Sequence, residues 1–321
     1  MRAIQVSEHG GPEVLQYVEV PDPQAGPGQL LVETQGVGVN YIDIYFRTGQ
    51  YPQATPYIPG SEGTGIVVAI GSDVTEFAVG DRVAWASAPG SYADLVAVDE
   101  AVAVRVPRDV EPAVAAAALL QGMTAHYLTE SVFSPEPGDP VLIHAGAGGV
   151  GLLLTQMAVA KGARVITTVS TDAKEKLSRE AGATEVLRYG DDLAARVRDL
   201  TDGIGVAAVY DGVGAATFEA SLAALRIRGT LALFGAASGA VAPFDPQRLN
   251  PAGSLWLTRP SLGAYTRDRT EFLWRATDVF DGIAAGTLNL RIGATYPLAD
   301  AATAHRDLAA RKTTGSIVLL P

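Results

Sequence analysis

The 321-residue chain has no cysteine. Disulfides, thiolate nucleophiles and every cysteine-ligated metal site are therefore excluded. Histidine is scarce too, with four copies. His9 precedes a Gly-Gly-Pro turn, His126 and His305 fall in expected helices, and His144 falls in an expected strand. No two have metal-ligand spacing, and neither H-E-x-x-H nor G-x-S-x-G occurs. His144 reads most simply as a core histidine. Positive charge is also short: 24 Lys and Arg against 35 Asp and Glu leave a net charge of −11. An acidic surface repels phosphate backbones and anionic lipid, so nucleic acid and membrane-surface partners are not expected. No uncharged run approaches the ~20 residues of a membrane span, and MRAIQVSEHGGPEVL lacks the apolar core of a signal peptide. A cytoplasmic location is the expectation.

Hydrophobic residues make up 48% of the chain, enough to bury a sizeable core and to rule out disorder as a whole-chain reading. The length suits two domains or one large α/β domain. Gly and Pro are plentiful but scattered among apolar runs, which predicts many tight turns. Up to about Pro107 the chain reads as β-rich. Gln29–Glu33, Gly65–Ile70, Arg82–Ala86 and Leu95–Val98 are short apolar segments bounded by Gly, Pro and Asp. An alanine-rich helix is expected over Glu111–Leu120.

From Val141 strands alternate with helices. VLIHA (141–145), RVITTV (164–169), EVLRY (185–189), VAAVYD (206–211) and GTLALFG (229–235) are strand candidates, and helices are expected between them. Continuously apolar strands at this pitch predict a parallel sheet covered on both faces. SLWLTRP (254–260) reads as a further strand, with Trp256 in core or interface. A helix over Arg267–Ala285 and a β-like tail, Gly315–Leu320, complete the chain. The tail is too small to be a domain and is expected to return to the N-terminal one.

Gly146-Ala147-Gly148-Gly149-Val150-Gly151 fits G-x-G-x-x-G. Context makes it specific: it follows an apolar strand and opens a helix within a strand–helix–strand unit. Such glycines allow a tight turn and close approach to a pyrophosphate, and the helix N-terminus supplies free N–H groups. NAD-type folds usually carry an acidic residue about 20 residues further on, to hold the ribose 2′-hydroxyl. Here the second strand runs into Ser170-Thr171, which leaves room for a 2′-phosphate, with Lys174 following. NADPH is the better expectation. Asp172 would repel that phosphate if it pointed inward, and it reads instead as the N-cap of the next helix.

PGSEGTGIVVAIG (59–71), VGDRV (79–83), AGAGGVG (145–151) and KGARVITTVST (161–171) together resemble the medium-chain dehydrogenase/reductases. HGGPEVLQ (9–16), GVNYIDIYFRTGQYP (38–52) and TRPSL (258–262) resemble their zinc-independent quinone oxidoreductase branch. The resemblance implies an α/β chain: a GroES-like β-rich catalytic domain from residues 1–121 and 291–321, and a Rossmann NADPH-binding domain, a doubly wound parallel sheet, from 122–290. Zinc-dependent members carry Gly-His-Glu where this chain has Gly60-Ser61-Glu62, and a Cys near Val39-Asn40. They also carry a separate four-Cys structural site. Neither zinc site can be built here, and Glu62 reads as a structural residue.

Carried over residue by residue, the resemblance places Asn40, Asp43 and Tyr45 at the nicotinamide and substrate, and Thr124 at the nicotinamide. It places Gly146, Gly148, Gly149, Val150 and Gly151 at the pyrophosphate, Ser170, Thr171 and Lys174 at the 2′-phosphate, and Tyr189 on the adenosine side. Phe234, Gly235 and Ala236 flank the nicotinamide, and Arg259, Pro260, Ser261 and Arg311 complete the groove. Gly212 stands where a Ser contact is common. Asn40 and Tyr45 are the catalytic candidates, Tyr45 orienting the acceptor carbonyl and, with Tyr51, lining the cleft for a flat quinone.

The expected activity is hydride transfer from NADPH to a quinone without metal. The alternatives are reduction of α,β-unsaturated carbonyls and a non-catalytic, crystallin-like NADPH-binding role. A homodimer is expected, and the strand at 254–262 reads either as a sheet edge that pairs across a two-fold axis or as an internal strand.

Overall fold

The computed structural model describes every residue, Met1–Pro321. Its contacts divide the chain into two units, Met1–Met123 with Thr266–Pro321, and Thr124–Tyr265. The first holds β1 (Arg2–Gln5), β2 (Gln16–Glu19), β3 (Gln29–Val39), α1 (Tyr41–Arg47), β4 (Glu62–Ile70), β5 (Arg82–Ala86), β6 (Leu95–Asp99), β7 (Ala103–Arg105) and α2 (Pro112–Ala116). The boundary between the units falls within α3 (Leu119–Tyr127). The second unit then contains β8 (Pro140–Ile143), α4 (Gly149–Ala160), β9 (Arg164–Val169), α5 (Asp172–Glu180), β10 (Glu185–Arg188), α6 (Leu193–Asp199), β11 (Val206–Asp211), α7 (Phe218–Ala224), β12 (Leu225–Leu233), β13 (Trp256–Thr258) and α8 (Leu262–Tyr265). The chain returns to the first unit with α9 (Arg269–Ala284), β14 (Ile292–Pro297), α10 (Ala301–Ala309) and β15 (Ser316–Leu320).

The main sheet of the first unit runs β14-β15-β3-β4-β5-β7, with β6 paired to β3. Its alternation is clear in β3, where Leu30 and Val32 are buried and Glu33 and Gln35 exposed. β3 is long enough to pair with β6 over 29–33 and with β15 over 37–39. The tail β15 is thus an interior strand, between β14 and β3, and Ile317, Val318 and Leu319 are fully or almost fully buried.

The second unit carries a six-stranded parallel sheet in the order β10-β9-β8-β11-β12-β13. Numbered from its own first strand that is 3-2-1-4-5-6, the Rossmann order, in which ligands bind beyond the carboxyl ends of the strands where the order reverses. The apolar residues of β8, β9 and β11 that made the strands legible are buried.

Several elements differ from expectation. The helix expected over Glu111–Leu120 is two helices, because Ala117 leaves helical geometry (φ −123°, ψ 11°). β12 starts at Leu225, four residues earlier than its apolar run suggested. The 16-residue α9 falls in the first unit, where Arg269 donates to the carbonyls of Ala101 and Ala103 and pairs with Glu76 at 2.6 Å. By contacts the chain returns to the first unit at Tyr265/Thr266.

Leu319 is fully buried in an interior strand, with cluster neighbours from both chain ends. Leu319→Ala should therefore cost ~2–5 kcal/mol of stability. A urea unfolding midpoint indistinguishable from wild type would show that the tail does not complete this sheet.

Candidate functional site

The Gly-rich turn joins β8 to α4, and its glycines do different work. A Cβ on Gly146 would lie 2.6 Å from Thr167 Cβ and 2.8 Å from Ser178 Oγ, so this position packs against β9 and α5. A Cβ on Gly151 would sit 2.3 Å from the Ala145 carbonyl oxygen, which seats the helix on the turn. At Gly148, by contrast, the only neighbour is that same oxygen at 3.3 Å. Gly148 is the N-cap of α4 and offers no side chain to the orphan donors. No acceptor in the chain takes the N–H of Gly149, Val150 or Gly151. Three free donors at a helix N-terminus fit a pyrophosphate.

Behind the turn, His144 has no nucleophilic role. It is buried, its Nδ1 lies 2.9 Å from Thr168 Oγ1 and its Nε2 lies 2.9 Å from Ser221 Oγ. Ser221 donates to Asp211 Oδ2 at 2.8 Å, so it accepts from His144 Nε2–H. Asp211 is fully buried but saturated by the N–H groups of Val213 and Gly214 and the hydroxyls of Thr217 and Ser221. Burial pushes the His144 pKa down and the nearby Asp211 opposes that. His144 is a core histidine, as expected, although β8 ends at Ile143 and His144 lies in the turn that follows instead of in the strand.

At the end of β9, Ser170 and Thr171 are exposed. Thr171 is the N-cap of α5, and its hydroxyl accepts from Lys174 N at 3.3 Å. This corrects the reading of Asp172 as the cap. Asp172 is the first helical residue, and Arg188 Nη2 holds its carboxylate at 2.6 Å. Arg188 also reaches Glu175 at 2.8 Å. Arg188, not among the residues expected at the site, adjoins Tyr189 and ends the strand paired in parallel with β9. The Tyr189 hydroxyl accepts from Ala145 N at 3.0 Å, tying β10 to the Gly-rich turn.

Thr124 is buried in α3. Phe234, Gly235 and Ala236 follow β12, and a Cβ on Gly212 would lie 2.8 Å from Phe234 Cζ. The phenyl ring thus fills the space a serine at 212 would need. Pro260 is buried, while Arg259 and Ser261 are exposed. Trp256 is 68% exposed, so the core half of its reading is excluded.

In the first unit Asn40, Asp43 and Tyr45 belong to one device. Asn40 caps α1, and Asp43 closes a capping box by accepting from Asn40 N at 2.8 Å. The Asn40 amide is engaged at both ends: Nδ2 donates to Glu62 Oε1 at 2.7 Å and Oδ1 accepts from Gln121 Nε2 at 2.9 Å. Ser316, from the tail strand, donates to Gln121 Oε1 at 2.7 Å. Glu62 takes a further N–H from Leu120 at 2.8 Å. One turn beyond the cap, Tyr45 is 6% exposed, and its ring centroid lies 5.1 Å from that of Tyr51. Arg311 is exposed, in left-handed backbone (φ 57°) just past α10.

A second chain leaves Asp43 in the other direction. Tyr92 donates to Asp43 Oδ2 at 3.0 Å and lies 3.0 Å from His305 Nε2. Arg47 Nη1 is 3.1 Å from His305 Nδ1. Arginine can only donate, so Nδ1 accepts and the imidazole proton sits on Nε2, directed at Tyr92. His305 is therefore neutral, its pKa pushed down to about 3 by burial and then by Arg47. Burial raises Asp43 to about 7 and Glu62 to about 8, against the hydrogen bonds that pull each down. Tyr92, His305, Gln121, Ser316 and Arg47 escaped the sequence reading, because their partners lie far away along the chain.

The donor set here does not fit zinc. Both oxygens of Glu62 already accept N–H bonds, Ser61 is its neighbour, and nowhere do three or more His, Asp or Glu residues converge.

A Rossmann sheet with a free-donor Gly turn, and a sheet unit completed by both chain ends, define the medium-chain dehydrogenase/reductase class. Residues 26–108 match the alcohol dehydrogenase GroES-like domain family, and residues 149–272 match the zinc-binding dehydrogenase family. A quinone oxidoreductase of Pseudomonas aeruginosa is 43% identical over 100% of this chain and 99% of its own. A 2-haloacrylate reductase from a Burkholderia species is 38% identical over 99% of this chain and 98% of its own. A mycobacterial protein solved in complex with NADPH superposes with a TM-score of 0.98 at 58% identity over the whole of both chains. The chain belongs to the quinone oxidoreductase branch of the medium-chain dehydrogenase/reductases.

Glu62 sets a pH dependence. Its raised pKa means the folded chain keeps a proton that the unfolded chain loses above about 4.5. The stability drawn from the neutral carboxyl is full below that pH and is lost as pH climbs through about 8. Relative to Glu62→Gln, the wild type should lose stability between pH 5 and 8, with a limiting slope of ~1.4 kcal/mol per pH unit. Parallel stability–pH curves for the two proteins would show that Glu62 ionises as it does in the unfolded chain.

Proposed function

We propose that this protein takes a hydride from NADPH and delivers it to a quinone without a metal. One observation carries the reading: the free-donor turn at Gly148–Gly151 is followed, at the end of β9, by exposed hydroxyls where NAD-type folds place a carboxylate. Full-length likeness to quinone oxidoreductases, and to a structure bound to NADPH, supports it.

Bound there, NADPH would supply the hydride, which leaves the protein to bind, orient and exclude water. The N–H groups of Gly149, Val150 and Gly151 would hold the pyrophosphate, with Gly146 and Gly151 fixing the turn. Ser170, Thr171 and Lys174 would take the 2′-phosphate, and Tyr189 the adenosine side. Thr124, Phe234–Ala236, Arg259–Ser261 and Arg311 keep their assigned places along the cofactor. Tyr45 orients the acceptor carbonyl through its hydroxyl, and Tyr51 offers it an aromatic neighbour. Asn40 acts through position: an amide engaged at both ends fixes the start of α1 and hence Tyr45. A quinone needs little acid–base help, because its reduced form can collect protons from solvent or a hydroxyl.

Titration with NADPH and NADH separately, then oxidation of the tighter one by a benzoquinone, tests this reading. Tight NADPH binding with quinone-dependent loss of reduced-nicotinamide absorbance is expected. The 2-haloacrylate reductase among the relatives favours a second reading, hydride addition to the β-carbon of an unsaturated carbonyl. That reaction needs a proton donor, so Tyr45→Phe should spare quinone turnover and sharply reduce enone turnover. NADPH binding with no turnover on either class would leave a cofactor-binding, non-catalytic protein.

We further propose a homodimer working in the cytoplasm. β13 is the edge of its sheet and carries the exposed Trp256, an unpaired ladder suited to pairing across a two-fold axis. Sedimentation should give twice the 33.3 kDa chain mass, and Trp256→Asp should shift it to the monomer. A monomeric wild type at micromolar concentration would end this part of the reading.

A further inference from the structure

Asp172 poses an electrostatic problem at the site proposed for the 2′-phosphate. It lies two residues beyond Ser170, next to the Thr171 cap, and its carboxylate is fully exposed. A carboxylate in that loop is what a fold selecting the unphosphorylated ribose uses. A second one, Glu175, stands one turn further along α5. Left alone, the pair would oppose the entry of a doubly charged phosphate.

The parallel register answers this. Arg188 pairs with Val169, so the last residue of β10 stands beside the last residue of β9, one position before Ser170. From there Nη2 reaches Asp172 Oδ1 at 2.6 Å and Glu175 Oε2 at 2.8 Å. Arg179 holds the same Glu175 from the other side at 2.9 Å. A single guanidinium thus engages both carboxylates, and because it cannot deprotonate its charge is permanent.

We propose that Arg188 is the residue that lets this loop accept a 2′-phosphorylated ribose, by neutralising Asp172 and holding its carboxylate on the β10 side. The assignment rests on the reading of NADPH as cofactor. It makes Arg188 a specificity-determining residue that acts through Asp172, and it explains how a loop with an acidic residue at its mouth can still favour the phosphate. Arg188 is itself one-third exposed, so its removal leaves no cavity.

The test is a set of dissociation constants for NADPH and NADH, read by binding titration, for wild type, Arg188→Gln, Asp172→Asn and the double variant. Arg188→Gln should weaken NADPH by about fivefold or more while NADH stays within about twofold. Adding Asp172→Asn should recover most of the lost NADPH affinity, because the carboxylate that Arg188 restrained is gone. Equal weakening of both nucleotides, or unchanged NADPH binding, would overturn the assignment. Loss of NADPH affinity that Asp172→Asn does not rescue would also overturn it, since Arg188 would then act independently of Asp172. A wild type that prefers NADH would instead overturn the cofactor reading, before any variant is compared. Adenosine 2′-monophosphate against adenosine 5′-monophosphate as competitors gives the same contrast without the nicotinamide half.

Discussion

The first unit is organised around two carboxyl groups with almost no access to water. Asp43 and Glu62 would each be expensive to bury charged and unpartnered. The fold meets this with a continuous run of hydrogen bonds instead of direct ion pairs. From Asp43 the run passes through Tyr92 and His305 to Arg47, and through the Asn40 cap to Glu62, Gln121 and Ser316. Each link constrains the next, because an imidazole that accepts at Nδ1 must donate at Nε2, and an amide with both ends engaged cannot rotate. The members come from α1 and its cap, β4, the loop between β5 and β6, α3, α10 and β15. The network therefore depends on the two chain ends forming one sheet, and α1, with Tyr45 on it, inherits that rigidity.

The second unit solves its problem with backbone. Its parallel strands are hidden on both faces, and their apolar residues alone would not specify a site. The site comes from the turn, where Gly146 packs against Thr167 and Ser178 while Gly148 and Gly151 face the Ala145 carbonyl, and from Asp211, whose carboxylate is saturated by local donors. Ser221, His144 and Asp211 together have the composition of a hydrolytic set. Their geometry argues otherwise: all three are buried, and the serine hydroxyl gives its hydrogen to the aspartate. What they do is brace the turn from behind, since Thr168 both bonds His144 through its side chain and accepts Gly146 N through its carbonyl.

How much of this was legible follows from how local each signal is. The apolar strands β8, β9 and β11 and the G-x-G-x-x-G turn are written in consecutive residues, and β9 and β11 were bounded to the residue. The return of the tail was legible because Ser316–Leu320 is too short to bury itself alone. α1 was masked: VNYIDIYF alternates in a strand-like way, and only the Asn40–Asp43 box reveals a helix start. α10 was legible as the Ala-rich helix around His305, whereas β14 (IGATYP) is short, holds Gly and Pro, and buries none of its residues fully. Tyr92, His305 and Arg47 looked unremarkable because the bonds that unite them span 213 and 258 residues. Asp172 was assigned the wrong helical position by a single residue, since Thr and Asp are both good caps and Thr171 comes first. The hold of Arg188 on Asp172 could not be read without the register between β9 and β10.

Both units therefore hold acidic groups near the residues expected to do the work, and they treat them in opposite ways. Asp43 and Glu62 are kept from water, so their charge is suppressed by burial and their hydrogen bonds serve to fix geometry. Asp172 is left in water, and a neighbouring guanidinium balances its charge. The difference tracks the task. On the proposed reading, a stiff frame around Tyr45 suits the positioning of a flat acceptor. At the mouth of a nucleotide loop an exposed charge can be set against its opposite, and exchanging one anion for another there requires no rearrangement of the core.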